Sequence, residues 1–254
     1  MTQRKVVFAG IVFVLLFLLL TVKTLAAAEQ TCVLSKEKFD ELKSIQNNPA
    51  FDYAQEIKAE LDLRKNLLRE TVGCAVKDAE NIKSSLDSAA VSDADTKKLK
   101  DELSGKLGDA INYYELQRLK IDDLGLQGSR DFSRSLKDWR DGNYTTVAEL
   151  ASNLIIWSRN QDIIKTTQNR INQINQTVYV LKLVDNEEIQ NLWEEASANF
   201  KKALDFNGQA GESLRRFDSP DKSLEEIKSS LDALADTYKK FFELSDVISK
   251  MLPG

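Results

Sequence analysis

Cys32 and Cys74 are the only cysteines of the chain, and a disulfide between them is the one definite chemistry that its sequence predicts. Two cysteines in an exported protein most simply form one bond. The spacing allows it: a short predicted helix over 35–47 would turn back at Asn48-Pro49 onto the helix that carries Cys74. Measured from that turn, the stretch back to Cys32 is roughly 28 Å long and the stretch on to Cys74 roughly 35 Å, so the two sulfurs can meet. The alternative is two unpaired cysteines, each a small buried apolar residue.

The chain has no histidine, and this absence excludes most hydrolytic mechanisms other than carboxylate-only and lysine-based ones. Histidine is the only side chain whose unperturbed pKa lies near neutrality, and it is the commonest metal ligand. Without it there is no Ser-His-Asp or Cys-His site, no histidine zinc site and no histidine-containing di-iron site. The sequence also lacks a Gly-rich phosphate loop. We therefore expect a protein that is not an enzyme and that has no cofactor and no metal.

One acidic cluster could supply paired carboxylates for glycoside hydrolysis or for binding a hard cation. Its first three members fall at a predicted helix N-terminus, where negative charge stabilises the helix dipole. The other two fit an ordinary solvated helix face, so we interpret the cluster as structural. Its members are Asp185, Glu187, Glu188, Glu194 and Glu195.

Residues 1–28 predict a secretory signal peptide, with Arg4 and Lys5 before an apolar run over 6–22 and an Ala-x-Ala end. The alternative is an uncleaved anchor that crosses the membrane through the same run, because about 17 apolar residues is the lower limit for spanning a bilayer. Both forms place the remaining residues, 29–254, outside the cytoplasmic membrane. The predicted localisation is therefore secreted or cell envelope.

The charge balance disfavours nucleic acid as a partner. The leader holds three of the 35 basic residues and none of the 40 acidic ones, so the remainder is more acidic than the net charge of −5 indicates. An acidic surface repels phosphate backbones. We expect the partners to be other envelope proteins or a second copy of the chain.

Helix breakers are scarce, with three prolines and ten glycines beside 30% charged residues. Apolar residues recur at alternating spacings of three and four, a pattern typical of helices packed lengthwise against one another. The predicted fold class is all-α: one domain over 29–254, an elongated antiparallel up-and-down bundle with coiled-coil-like packing. The stripes cover 51–90, 92–124, 146–184, 185–206 and 220–252, with Ser92 and Asp185 as predicted helix caps, a turn at Asp141-Gly142-Asn143 and interruptions at Asn207-Gly208 and Gly211.

The stripe over 146–184 is polar in every second turn, where it contains Gln161, Gln168 and Asn175. Buried polar residues at such positions fix the register of neighbouring helices at some cost in stability. The alternative is a small-ligand site between helices. We prefer the structural interpretation.

Four aromatic residues lie at or beside their stripes and could form an exposed face for a partner: Trp139, Trp193, Tyr113 and Phe242. Packing at the rim of the bundle is the alternative for each. Together with the leader and the missing catalytic residues, these features predict a non-enzymatic envelope scaffold, spacer or protein-interaction element. The alternative function is an extracytoplasmic sensor or carrier that binds a small ligand between its helices.

Overall fold

The computed structural model describes residues 36–46 and 52–251, and all regular structure in these two ranges is helical. The predicted leader, Cys32 and the turn at Asn48-Pro49 lie outside them. None of the described helices is both long enough and apolar enough to cross a bilayer. The helices are α1 (Lys36–Gln46), α2 (Tyr53–Ser88), α3 (Ala94–Arg118), α4 (Leu126–Trp139), α5 (Thr145–Val180), α6 (Glu187–Arg215) and α7 (Pro220–Met251), with a short 3-10 helix at Ile121–Asp123.

Two helices begin one residue later than the sequence indicates. Asp93, not Ser92, is the cap of α3: its carboxylate accepts a 2.8 Å hydrogen bond from the amide N–H three residues on, which lowers the pKa of Asp93. Asn186, not Asp185, is the cap of α6 and accepts a 3.0 Å bond in the same way. Each cap satisfies an N–H group that the helix itself leaves without a partner.

Helices α4 and α5 are continuous, because the residues between them form a π-helical turn, Arg140–Tyr144. The predicted turn at Asp141-Gly142-Asn143 is therefore wrong: the chain stays helical through it. A π turn accommodates an extra residue within a helix without ending it. The joined rod from Leu126 to Val180 is about 80 Å long at 1.5 Å per residue.

Helix α6 is also unbroken, and the predicted interruptions at Asn207-Gly208 and Gly211 are wrong. Glycine lowers helix propensity by about 1 kcal/mol, but tertiary packing overrides a penalty of that size. Both Asn207 and Gly211 are buried in the helix and contact the Trp157 side chain of α5.

Helices α2 and α3 are antiparallel neighbours. Near the turn that joins them, Ser104 donates a 2.7 Å hydrogen bond to Asp87. At the far end, Arg69 of α2 pairs with Asp122, just beyond α3. The joined α4–α5 rod then runs back along both of them, and a buried apolar core fills the space between.

Helices α6 and α7 form an antiparallel hairpin that packs against the second half of α5. Ser230 of α7 donates a 2.8 Å hydrogen bond to the carbonyl of Ala203, and Lys240 pairs with Glu195 at 2.6 Å, further from the turn. The rod is thus shared by two successive three-helix segments, α2–α3–rod and rod–α6–α7. Buried apolar residues of the second segment are Ile164, Val178, Ile189, Ala196, Phe200, Ala203, Ala233, Leu234, Phe241 and Leu244.

Helix α1 is an outlying element that packs on α2. Ile45 is buried against Leu63 and Leu67, and Lys38 pairs with Glu70. The two contacts lie in opposite order along the two helices, so α1 runs antiparallel to α2. This small apolar cluster is separate from the core of the three-helix segments.

Candidate functional site

A line of buried polar residues lies where α5 and α7 contact each other, and we call it the polar seam. On α5 it consists of three residues seven apart, α7 has three buried polar residues at the same spacing, and the first two on each helix are hydrogen-bonded to each other. In both pairs that are directly hydrogen-bonded, the partners are 70 residues apart in the chain, so the two helices run parallel and in register. The seam residues are Asn153, Asn160 and Thr167 on α5 and Ser223, Ser230 and Thr237 on α7, all less than 5% exposed.

The first pair of the seam holds the turn that joins α6 to α7. The Asn153 Nδ2 donates to the carbonyl of Pro220 at 2.8 Å and to the Ser223 hydroxyl at 3.0 Å. Ser223 donates in turn to the Pro220 carbonyl at 3.0 Å. Pro220 is the first residue of α7, so these bonds fix the start of that helix on the middle of the rod.

The second pair is the centre of a network that connects all three helices of the second segment. The Asn160 Nδ2 donates to Asn207 Oδ1 on α6 at 3.1 Å and to the Ser230 hydroxyl on α7 at 2.9 Å. The Ser230 hydroxyl in turn donates a hydrogen bond to the carbonyl of Ala203 at 2.8 Å. A buried amide that donates twice is stabilising only while both acceptors stay in place, so the network specifies one alignment of the helices.

Next to this network, Trp157 packs against α6 at a position where only glycine fits without a shift. Its Nε1 donates to the carbonyl of Asn207 at 2.9 Å. A Cβ added at Gly211 would lie 3.0 Å from Cζ2 of the ring, closer than most such contacts. The lack of a side chain at Gly211 therefore allows the indole to lie directly on the helix backbone.

The seam predicted from the sequence lies beside the polar seam, one position further along α5. Gln168 and Asn175 are exposed, and Gln161 is half-buried. Gln168 hydrogen-bonds along its own helix, to Asn172 at 3.4 Å. The buried positions on α5 are instead the residues immediately before Gln161 and Gln168.

Tyr113 and Trp139 of the predicted aromatic face lie together, stacked with ring centroids 3.7 Å apart and planes at 10°. Both are half-buried and pack against the core of the first segment. Tyr114 meets the same indole edge-to-face at 5.2 Å. These rings fill the space beside the π turn, as offset and edge-on aromatic pairs commonly do in protein interiors.

Two phenols near the π turn are deeply buried. The Tyr144 hydroxyl donates a 2.7 Å hydrogen bond to Asp78 on α2, and the ring is 1% exposed. Burial, together with this bond, raises the pKa of Tyr144. Burial raises the pKa of Tyr114 to about 12. Both side chains are therefore neutral at ordinary pH, as core residues are.

Trp193 and Phe242 lie at one level of the α6–α7 hairpin, beside the Glu195–Lys240 ion pair. Trp193 is half-buried against the apolar core at the outer end of the hairpin. Phe242 is 50% exposed. The structure thus divides the predicted aromatic face into a stacked pair in the first segment and a separate pair in the second, of which Phe242 is the exposed ring.

The acidic cluster is dispersed, with Asp185 in the turn before α6 and the four glutamates along that helix. Glu187 and Glu188 lie in its first turn, where they favour the helix dipole. Glu195 pairs with Lys240, and the hydrogen bonds from that lysine to Glu195 and Glu243 raise its pKa. Within the two described ranges, no group of three or more Cys, Asp or Glu comes together as a metal site.

Cys74 lies half-buried on α2, while Cys32 is outside the described residues, so their pairing stays a prediction. Lys38, six positions after Cys32, pairs with Glu70, four positions before Cys74. The antiparallel course of α1 and α2 is the course that the predicted bond requires.

The polar seam is built from amides and hydroxyls, which neither titrate near neutral pH nor carry a neighbouring base. Its chemistry is hydrogen bonding, and its geometry aligns helices. The structure is that of an all-helical protein with its helices packed against one another. The chain matches no protein-family model, no curated protein and no solved structure.

Proposed function

We propose that this protein is a non-enzymatic scaffold or spacer of the cell envelope, an elongated up-and-down bundle that holds a protein partner at a distance. The observation that supports it is the α4–α5 rod, shared by both three-helix segments from Leu126 to Val180. A helix shared by two packed segments holds them in a fixed order along its length, because Leu136 and Leu154 are buried in the first segment and Ile164 and Val178 in the second.

The polar seam supports the same function. Its two hydrogen-bonded pairs, Asn153–Ser223 and Asn160–Ser230, hold α7 parallel to the rod in one register. Buried polar pairs at a helix interface are best known for specifying register. A spacer requires a constant length more than it requires a reactive group, and these residues supply the alignment.

The location outside the cytoplasmic membrane is part of the proposal and depends on the leader. We propose that residues 1–28 direct export and are then removed, or remain as an anchor through 6–22. We also propose that Cys32 and Cys74 form a disulfide after export, since thiols of exported proteins are commonly oxidised.

Mass spectrometry of the intact protein recovered from its producing cells tests the leader and the bond together. We expect an N-terminus at or near Glu29 and no labelling of Cys32 or Cys74 by an alkylating agent added before reduction. Reduction should then allow both to be labelled. A chain that retains Met1 in the membrane fraction would establish the anchor, and two thiols labelled without reduction would refute the bond.

Site-specific photo-crosslinking in intact cells tests the interaction role. A photoreactive residue at Phe242, the exposed ring of the hairpin, should give a discrete adduct with another envelope protein. The matched control is Asp236, exposed on the same helix but about 120° around it. Equal adducts at both positions would indicate random collision, and no adduct at Phe242 would contradict a partner on this face.

The carrier alternative has less support. The polar residues that suggested a ligand between helices, Gln168 and Asn175, are exposed. The buried seam residues hydrogen-bond to one another and to backbone carbonyls, as Asn160 and Ser230 do. A specific thermal shift of several degrees with one metabolite would restore the carrier as the better proposal.

A further inference from the structure

The turn that joins α5 to α6 contains a residue in a backbone conformation that its side chain disfavours. Lys182 has a φ of 55°, in the left-handed region, where glycine is the usual residue. The turn is closed by the bonds from the Leu183 amide to the Val178 carbonyl and from the Lys182 amide to the Tyr179 carbonyl, both 3.0 Å. These bonds hold the lysine in the strained conformation.

The same turn lacks the two residues that most strongly interrupt a helix. Residues 181–186, Leu-Lys-Leu-Val-Asp-Asn, include neither glycine nor proline. The turn between α6 and α7 is different. Phe217 there also has a positive φ, of 53°, but Pro220 follows three residues later and would break a helix running through it. Of these two turns, only the one between α5 and α6 can straighten into a continuous helix and so release its strain.

Apolar side chains are exposed at this end of the molecule. Tyr179 and Val180, in the last turn of α5, are 76% and 75% exposed, and Val184 in the turn is 42% exposed. Met251 at the end of α7 is 40% exposed and contacts Asn186 of the turn. These four residues form an apolar tip, which a chain approaching end to end would cover.

We propose that two copies of this chain form a dimer by exchanging their α6–α7 hairpins across the apolar tip, with the α5–α6 turn opened into continuous helix. Each hairpin then packs against α5 of the other copy. The polar seam and the Trp157–Gly211 contact re-form between chains, so the exchange keeps the packing of the closed form outside the turn itself. Exchange of identical elements is a low-cost route to a symmetric dimer, and strained short hinges favour it.

The direction of the helices is compatible with this exchange. In the closed chain α6 runs antiparallel to α5, away from the tip, since Val178 packs near Ile189 and Trp157 contacts Asn207. In the dimer, α6 continues beyond the tip and meets the α5 of the partner, which runs toward the tip from the opposite side. The two helices are antiparallel again, and the same side chains face each other.

Two substitutions at Val184 distinguish hairpin exchange from a simple contact between apolar tips. Val184 is the second residue of the turn closed by the 3.1 Å bond from the Asn186 amide to the Leu183 carbonyl, a position that proline favours. Val184→Pro therefore suits the closed chain and prevents a continuous helix. Val184→Ala removes the apolar side chain equally well but favours helix.

The full chain, in mild detergent, is refolded at high and at low protein concentration and its mass is measured by light scattering coupled to size exclusion. We expect the wild type and Val184→Ala to form dimers after refolding at high concentration and Val184→Pro to stay monomeric with an unchanged helical spectrum. Lys182→Gly removes the strain of the closed turn, and two such turns open for each dimer. The substitution should therefore stabilise the closed chain and weaken the dimer roughly 10- to 100-fold.

Three results would overturn the proposal. The wild type could stay monomeric at every concentration. Val184→Pro could dimerise as well as the wild type, which would show that the hinge need not open. Val184→Ala could lose the dimer as fully as Val184→Pro, which would indicate contact between the tips without exchange.

Discussion

Replacing Asn160 with aspartate is expected to destabilise the protein by about 3–5 kcal/mol at neutral pH, the cost of an unpaired buried charge. The native amide donates hydrogen bonds to Asn207 Oδ1 and to the Ser230 hydroxyl, and a carboxylate has no proton for either. It would also bring its negative charge against the Asn207 oxygen. The matched control is Asn175→Asp, at an exposed position of the same helix, which should change stability by less than about 0.5 kcal/mol.

The loss at Asn160→Asp should depend on pH in a defined direction. Burial disfavours the charged carboxylate, so the folded state raises the pKa of the new acid above its unfolded value of about 3.9. Below that value the acid is neutral in both states, and only the loss of one of the two donated hydrogen bonds remains. Stability is lost as the pH rises toward the raised folded pKa, and the loss is constant above it.

Urea unfolding of both variants across this pH range is the measurement, and the difference between them is the informative quantity, because the other carboxylates of the chain titrate equally in both. A difference that stays the same from acid to neutral pH would contradict a buried acid at Asn160. A larger loss for Asn175→Asp would show that the seam predicted from the sequence, and not the polar seam, lies in the interface.

The register of the seam could not be decided from the sequence, for a geometric reason. Trp157, Ile164, Ile171 and Val178 recur every seven residues and face the core. A helix interface needs a second line of residues, either three or four positions after each of these. One choice contains Asn160 and Thr167, and the other contains Gln161 and Gln168. Both are polar, so periodicity alone does not separate them.

The partner helices decide between the two lines. The interface follows the line on which Asn160 reaches acceptors on both α6 and α7 at once. Those acceptors, Asn207 and Ser230, are 47 and 70 residues away in the chain. No local pattern carries that information. A search for polar residues at the same seven-residue spacing on two helices, such as 153 and 160 with 223 and 230, would have found the pairs.

The helices themselves were largely predictable, because they depend on local signals. The scarcity of glycine and proline and the apolar stripes correctly predicted an all-helical chain of packed helices. The errors fell where tertiary contacts override those signals. Asn207-Gly208 and Gly211 resemble a helix end. Helix α6 nevertheless continues through them, because the Trp157 side chain packs against its backbone at Asn207 and Gly211. Likewise, Asp141-Gly142-Asn143 resembles a turn but forms part of a π-helical one.

Substituting valine for Gly211 is expected to destabilise the protein by about 2–3 kcal/mol, the range for overpacking a well-filled core. Even a Cβ alone would lie 3.0 Å from the Trp157 ring, and valine adds two further methyl groups on a rigid helix. Gly208, three residues earlier and exposed, is the matched control, since a Cβ there would meet nothing within 4 Å. Gly208→Val should be neutral within about 0.5 kcal/mol, because both residues are weak helix formers.

A double-mutant cycle connects this cost to the indole rather than to the helix. In a Trp157→Ala background the clash is absent, so Gly211→Val should cost almost nothing beyond the loss from the first substitution. The expected coupling energy is about 2 kcal/mol, well above the few tenths typical of sites that do not touch. Urea unfolding of the four proteins measures it. Coupling near zero would mean that Gly211 is present for a reason other than the close approach of Trp157. The hydrogen bonds of Asn153 and Asn160 would then be the contacts that fix the α6–α7 hairpin on the rod.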